Sequence, residues 1–385
     1  MKKIQEAQVK DKNILVRLDL DVAFESEWTN GNTPQIVDDE RLKASIPTIK
    51  FLLENDVAKI TLIGHLDRPK GIDFQRSLWP VANRIAELLG YKSQFSKPQQ
   101  TYDIDGKIII FDNLRFNPGE EKNDREFAQE LAQGQDIFVQ DAFATCHRNH
   151  ASMVGVAKFL PSYAGFSVQK EAQNLSKILH SPKEGFTIII GGKKAIDKLP
   201  VIENLLDKAE HFLIGGVVAN TFLASQGYNL GETLIENEIF QKGRAIIKSG
   251  KLSLPKDLLF SKSLKNSNEF RIFPLDQLGE ISDSFAVDIG PATITSYKEI
   301  IKSSQTIFWN GNLGISEIEA FSQGTQEIAE AIISSGAHKY AGGGDTTAFI
   351  RQHQLEKAFD FISTGGGAAL EFLAGGELPG LKVLA

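Results

Sequence analysis

The segment KYAGGGDTTAFI (339–350) sets three glycines directly before an aspartate. Glycines remove side chains from a turn and let backbone N–H groups close on an anion. A carboxylate beside bound phosphates suits Mg²⁺, which takes one or two carboxylates and leaves its other positions to phosphate oxygens and water. Asp345 is therefore a candidate metal ligand, although the same residues also fit a tight turn with Asp345 as an N-cap. A second triplet in STGGGAAL (363–370) follows the next apolar run and favours the phosphate reading. GGKKAIDK (191–198) lacks the Walker A spacing. Its Lys194 and Lys198 lie four apart, which predicts one face of the following helix. That face is either solvated or turned towards phosphate charge. In WNGNLGISEIEAF (309–321), Asn310 and Gly311 end an apolar run. Glu317 is then an ordinary helix-start acid or an acceptor for a ribose hydroxyl.

The first half offers different chemistry. Its apolar runs end in DLDVAF, GHLDRPKG, DNLRFNPGEE and DAFATCHRNHAS, which contribute Asp19, Asp21, His65, Arg68, Arg115, Asp141, His147, Arg148 and His150. Eight of the eleven arginines lie at or before Arg148. The guanidinium fork matches carboxylate and phosphate, so a small anion held by side chains is expected here. HRNH (147–150) is too short for finger-type histidine spacing and has no cysteine pair, which argues against zinc. Neither a G-x-S-x-G elbow nor a strand followed by G-x-G-x-x-G is present, which disfavours hydrolase and dinucleotide chemistry.

The elements that must hold these residues alternate short β-branched runs with amphipathic segments, the pattern of parallel sheets covered by helices. Strands are expected at 14–18, 59–63, 107–111 and 136–140, and at 186–190, 211–215, 306–310, 338–341 and 359–363. Ligands of such sheets sit outside the carboxyl ends of the strands, where all these residues fall. A chain of 385 residues exceeds one hydrophobic core. Two doubly wound, Rossmann-like α/β domains are expected, with a boundary between Tyr163 and Lys183 in a connecting helix and polar loop. Glycine-rich ends on one sheet suggest a nucleotide, charged ends on the other a small anion, and the pair suggests transfer between them. The net charge of −7 argues against nucleic acid as a partner. Cys146 is the only cysteine, no apolar run reaches membrane length, and the start has no apolar leader. A cytoplasmic location is expected.

Eleven blocks occur in the order found in phosphoglycerate kinases: VRLDLDV, DDERLKASIPTI, GHLDRPKG, DNLRF, DAFATCHRNHAS, GGKKAIDK, GGVVANTFL, VDIGPATI, WNGNLGISEIEAF, GGGDTTAF and ISTGGGAALEFLAGGELPGL. The sequence resembles that family from about Ile14 to Leu384. The resemblance implies a cytoplasmic, monomeric hinge enzyme of two domains. Residues 1–170 and 373–385 would bind 3-phosphoglycerate or 1,3-bisphosphoglycerate. Residues 171–372, beginning with a linking helix at 171–183, would bind MgADP or MgATP. The reaction implied is reversible phosphoryl transfer from 1,3-bisphosphoglycerate to MgADP. By position, the substrate residues are Asp19, Leu20, Asp21, Arg41, His65, Leu66, Asp67, Arg68, Arg115 and Arg148. The nucleotide residues are Lys198, Glu317, Gly343, Gly344, Asp345 and Thr346, with Asp345 on Mg²⁺. Arg41, Lys194 and Lys198 would steady the phosphoryl group in flight.

Of the departures from the family pattern, the two added acids lie in the substrate domain. Asp21 stands where asparagine is usual and Asp67 where glycine is usual; Cys146 and Asn312 also differ, and the segment 25–35 is longer. Two acids beside an anionic ligand predict weakened 3-phosphoglycerate affinity. Another carboxylate substrate, or a non-catalytic nucleotide-binding role, are the alternatives.

Overall fold

The computed structural model describes residues 1–29, 34–92, 94–264 and 269–385. Of the 25–35 segment, residues 30–33 therefore lie outside the described residues, while Glu25 N–H donates to the Gln35 carbonyl at 3.0 Å. The chain forms two compact units, Met1–Gln173 with Glu377–Ala385, and Asn174–Gly376.

The first unit is built on β1 (Asn13–Leu18), β2 (Lys59–Ile63), β3 (Thr101–Ile104), β4 (Ile108–Phe111), β5 (Ile137–Asp141) and β6 (Ser162–Ala164). They form one sheet in the order β3-β4-β2-β1-β5-β6. All neighbours are parallel except the edge pair β3–β4. β1 is central and all but its first residue are buried, as expected of a strand covered on both faces. From β1 the chain winds to β2 and β4 on one side, then crosses to β5 on the other. The carboxyl ends of β1 and β5 thus flank a topological switch point, where such sheets hold ligands.

The second unit contains β7 (Phe186–Ile190), β8 (His211–Ile214), β9 (Leu252–Ser253), β10 (Asp257–Ser261), β11 (Phe270–Pro274), β12 (Phe285–Ile289), β13 (Thr306–Asn310), β14 (His338–Gly342) and β15 (Phe361–Ser363). Its main sheet is parallel, ordered β15-β14-β13-β7-β8-β9. The switch point lies between β7 and β13. β10–β12 form a separate antiparallel sheet, ordered β11-β10-β12. The sequence reading missed it, because these strands end in no ligand-type motif and pair locally rather than through helical crossovers. Trp309 is fully buried in this unit, edge-on to Phe349, and its indole N–H donates to the Gly311 carbonyl at 3.0 Å. A core residue thereby fixes a loop at the switch point.

The connecting helix runs over Phe166–Leu179, starting before the 171–183 segment assigned to it, and the division between the units falls within it. Its early start has a local cause. Asp141 Oδ1 accepts from Ser167 and Val168 N–H at 2.8 and 3.2 Å, and Thr48 Oγ1 accepts from Phe166 N–H at 2.9 Å. These acceptors satisfy donors that no helical turn can. At the other end of the chain, Gly380 N–H donates to the Cys146 carbonyl at 2.8 Å and Lys2 N–H to the Leu384 carbonyl at 2.7 Å. No helix of the described residues is long and apolar enough to cross a membrane.

Burial pushes the Asp141 carboxyl up to about 7, against the pull of its two amide donors. The native state then holds a proton that the unfolded chain releases near pH 4, so this group's contribution to stability falls as pH rises from about 4 through 7. Asp141→Asn keeps the acceptor and removes the charge. The melting temperature of this variant minus that of the wild type is expected to rise between pH 5 and pH 8; a flat or falling difference in thermal denaturation would contradict the assignment.

Candidate functional site

In the first unit the strand ends gather the predicted residues. Asp19, just past β1, is buried, and its Oδ2 lies 3.4 Å from Arg41 Nη1. Burial raises the Asp19 carboxyl, and Arg41 opposes that rise. Arg41, in the first turn of the helix Glu40–Glu54, also donates to the Asp21 carbonyl at 3.0 Å. His65, after β2, is buried, with Nδ1 2.9 Å from Arg17 Nη2. Its Nε2 has no hydrogen-bond partner among the described residues and lies 4.0 Å from Asp21 Oδ2. Arg115 is buried on the turn Leu114–Phe116 and donates from Nη1 to the Asp67 carbonyl, while its Nε lies 3.2 Å from Glu121 Oε1 outside hydrogen-bond geometry. The guanidinium groups of exposed Arg68 and half-buried Arg148 make no hydrogen bond or ion pair with the described residues. Two free guanidinium groups and an imidazole with an unused N–H suit a small anion carrying both carboxylate and phosphate.

Leu20 and Leu66 are buried in the core, so a ligand could meet them only through their backbones. The Leu66 carbonyl is itself taken by Asn113 Nδ2 at 2.7 Å. Asp67 sits at φ +56°, which explains why glycine is the family's usual residue there. Its carboxylate pairs with Arg76 Nε at 2.8 Å and accepts from Arg68 N–H at 2.9 Å. Asp21 Oδ1 accepts from Asp67 N–H at 2.8 Å. The two unusual acids thus stabilise one another's loop, and Arg76, a residue the sequence reading left out, balances the second.

In the second unit the predicted residues surround the switch point between β7 and β13. Gly192 (φ +94°), Gly311 (φ +100°) and Gly343 (φ +93°) occupy backbone conformations that side chains disfavour. A Cβ on Gly191 would fall 2.2 Å from the Asn312 carbonyl oxygen. Gly343 caps the helix Gly344–Gln352, so Asp345 is in its first turn and is not the N-cap. The amides of that turn lack intrahelical acceptors and point towards the helix start. The Asp345 carboxylate is exposed and accepts no hydrogen bond from the described residues. Thr346 is buried and its hydroxyl accepts from Gly311 N–H at 2.6 Å, so its side chain holds the loop.

Lys194 and Lys198 do not share a helix. Residues 192–198 form a turn, and the helix begins at Leu199. Glu236 accepts from the amides of Ala195 and Ile196 at 3.1 and 2.7 Å, which takes those donors out of helical pairing, and Pro200 then favours a start at Leu199. Lys194 is exposed, and its ammonium has no partner among the described residues. Lys198 donates to Asn310 Oδ1, and burial lowers its ammonium to about 8. Glu317 pairs with Lys193 at 2.5 Å, a lysine that sequence reading passed over, and this partner holds the Glu317 carboxyl below its usual range.

Two adjoining cavities use these groups. One, of about 240 Å³, is lined by Gly192, Lys194, Lys198, Gly343, Gly344 and Asp345, among others. The other, of about 330 Å³, has apolar walls including Val217, Leu258, Leu264, Val287 and Leu313, with Glu317 at its polar side. Gly192, Lys193 and Asp345 border both. A cationic, amide-lined cavity beside an apolar one fits a polyphosphate joined to a flat base. The apolar cavity left no motif, because its walls come from distant segments.

Two doubly wound sheets, one with glycine-rich and one with charged strand ends, fit an α/β phosphotransferase. Residues 4–376 match the phosphoglycerate kinase family model. The chain is 39% identical over 397 residues to the phosphoglycerate kinase of Pelotomaculum thermopropionicum, covering 100% of this chain and 98% of the relative. It is 41% identical over 399 residues to that of Finegoldia magna, with the same coverage. Solved structures of phosphoglycerate kinases from Coxiella burnetii (TM-score 0.85, 35% identity, 99% of this chain and 98% of the other) and Pyrococcus horikoshii (TM-score 0.82, 30% identity, 100% and 98%) share the fold. The chain belongs to the phosphoglycerate kinase family.

Proposed function

We propose that the first unit holds 3-phosphoglycerate or 1,3-bisphosphoglycerate on Arg41, His65, Arg68, Arg115 and Arg148, and that the second holds ADP or ATP. The observation that carries the nucleotide half is the pair of adjoining cavities that share Gly192, Lys193 and Asp345 as borders. The apolar one takes the base, Glu317 the ribose, and the glycine amides with Lys194 and Lys198 the phosphates. For its ribose role Glu317 must exchange Lys193 for a hydroxyl, and their exposed pairing makes that exchange cheap.

No cluster of three or more metal-binding side chains exists among the described residues. The Asp345 carboxylate, with no partner among the described residues, fits Mg²⁺ that arrives on nucleotide phosphates. When bound, the ion neutralises phosphate charge. The protein's own part is positioning. An acyl phosphate is already activated and the terminal phosphate of ADP is already a nucleophile, so no general base is needed. Arg41 and Lys194 steady the equatorial oxygens of the group in transfer, and Lys198 holds the nucleotide side. The reaction needs no disulfide or membrane, and we assign a cytoplasmic monomer.

A coupled assay with 3-phosphoglycerate and MgATP tests the reading. Turnover is expected, with Asp345→Ala reducing kcat/KM by roughly 100-fold or more, as for loss of a transition-state charge contact. Turnover unaffected by Asp345→Ala would overturn the assignment. Asp21→Asn removes a negative charge beside the anion and is expected to lower KM for 3-phosphoglycerate about three- to tenfold; an unchanged or raised KM counts against it. Lys198 predicts a proton linkage. With its ammonium near 8, about half of it is neutral in the free protein at pH 8. A polyphosphate favours the charged form, so calorimetry in buffers of different ionisation enthalpy should show proton uptake on ADP binding at pH 8, fading towards pH 6. Lys198→Arg should abolish the uptake.

A further inference from the structure

Arg17 looks, in sequence, like the strand residue before Asp19, and it is 1% exposed. Its guanidinium spends its donors on three acceptors: Ser152 Oγ from Nε at 2.9 Å, the Leu18 carbonyl from Nη1, and His65 Nδ1 from Nη2 at 2.9 Å. Ser152 in turn donates from Oγ to Glu120 Oε1 at 2.5 Å and from its amide to Glu120 Oε2 at 3.0 Å. Glu120 is fully buried, with His150 Nδ1 3.7 Å away. Guanidinium has no acceptor, so every proton direction in this chain is determined. His65 Nδ1 must accept, and its single proton therefore sits on Nε2. Nε2 is the nitrogen that lacks a partner among the described residues, on a ring only 2% exposed.

We propose that Arg17 is a positioning residue for the anion site: held by Ser152 and Glu120, it locks His65 as the neutral tautomer whose Nε2–H donates to the bound phosphoglycerate. The proposal rests on the placement of that ligand in the first unit. The groups facing His65 are Arg17 from β1, Asp21 beyond it, Arg41 from the helix Glu40–Glu54, Arg115 from its turn, and His150. Four of these five are basic, and burial and Arg17 together hold the imidazole well below its usual range. The device supplies a donor without adding a second cation beside Arg17. It also makes this contact insensitive to pH where a free histidine would titrate.

Two-bond proton–nitrogen spectra of the full-length protein, labelled with ¹⁵N, read the tautomer directly. His65→Gln identifies the His65 signals by their loss. The expected result is a protonated Nε2 and a bare Nδ1, unchanged between pH 6 and pH 8. A proton on Nδ1, or a midpoint near that of free histidine, overturns the proposal. Arg17→Lys should preserve the pattern by keeping a donor. Arg17→Met should lose it, raise KM for 3-phosphoglycerate about tenfold with a much smaller change in kcat, and give KM a dependence on pH that wild type lacks. If Arg17→Met does not fold, the wild-type spectrum still decides. The two readings separate cleanly: an unchanged KM in folded His65→Gln removes the ligand contact but leaves the tautomer standing. A raised KM with the wrong tautomer removes the role of Arg17 and leaves the ligand contact standing.

Discussion

The nucleotide side of this protein depends on two backbones passing closer than any side chain permits. A Cβ on Gly311 would lie 2.2 Å from the carbonyl oxygen of Gly191, so the turns after β7 and β13 exist only with glycine at both places. That contact brings the ends of two adjacent parallel strands into one rim. The groups proposed to meet phosphate are hung from it. Asn310, the last residue of β13, receives Lys198 and donates from Nδ2 to the Gly342 carbonyl at 2.9 Å, tying in the turn after β14. Thr346 closes the ring by holding the Gly311 amide. The rim is continuous with the core through Trp309, so the site inherits the rigidity of packed aromatic side chains.

The first unit solves the opposite problem. Its strand ends present charges, and a cluster of cations alone would repel itself. Buried Arg17 is answered by the Ser152–Glu120 relay, and half-buried Arg41 and Arg76 by Asp19 and Asp67. The guanidinium groups of Arg68 and Arg148 have no partner among the described residues, and both reach the surface, where hydration keeps the cost low. Asp21 and Asp67 belong to this balance as well as to the departures from the family pattern.

Much of this could be read from residue types. Parallel strands show as short apolar runs, and glycine or charge at their carboxyl ends shows where ligands go, because both signals are local in sequence. Asp345 stood out for the same reason, and its proposed role rests on its place at the helix start. What escaped depends on partners far along the chain. Lys193 reads as a surface lysine until Glu317 meets it. Arg17 reads as strand filling until Ser152 and His65 surround it. The helical spacing of Lys194 and Lys198 was overridden by Glu236, which takes the amides that a helix would have used. The apolar cavity beside Glu317 has no motif at all, since Leu258, Val287 and Leu313 come together only in the fold.

The closure of the first unit by Glu377–Ala385 has an implication for biogenesis. The Leu384 carbonyl receives the amide of Lys2, and Gly380 packs against Cys146 so tightly that a Cβ there would touch the Cys146 sulfur at 3.1 Å. Lys2 and Cys146 are translated before the second unit, and Gly380 and Leu384 after it. On the ribosome the first unit must wait, with this seam open, while the entire second unit is made. The unit begun first is thus the one finished last, and the nascent chain depends on its second unit folding without the first as a completed template.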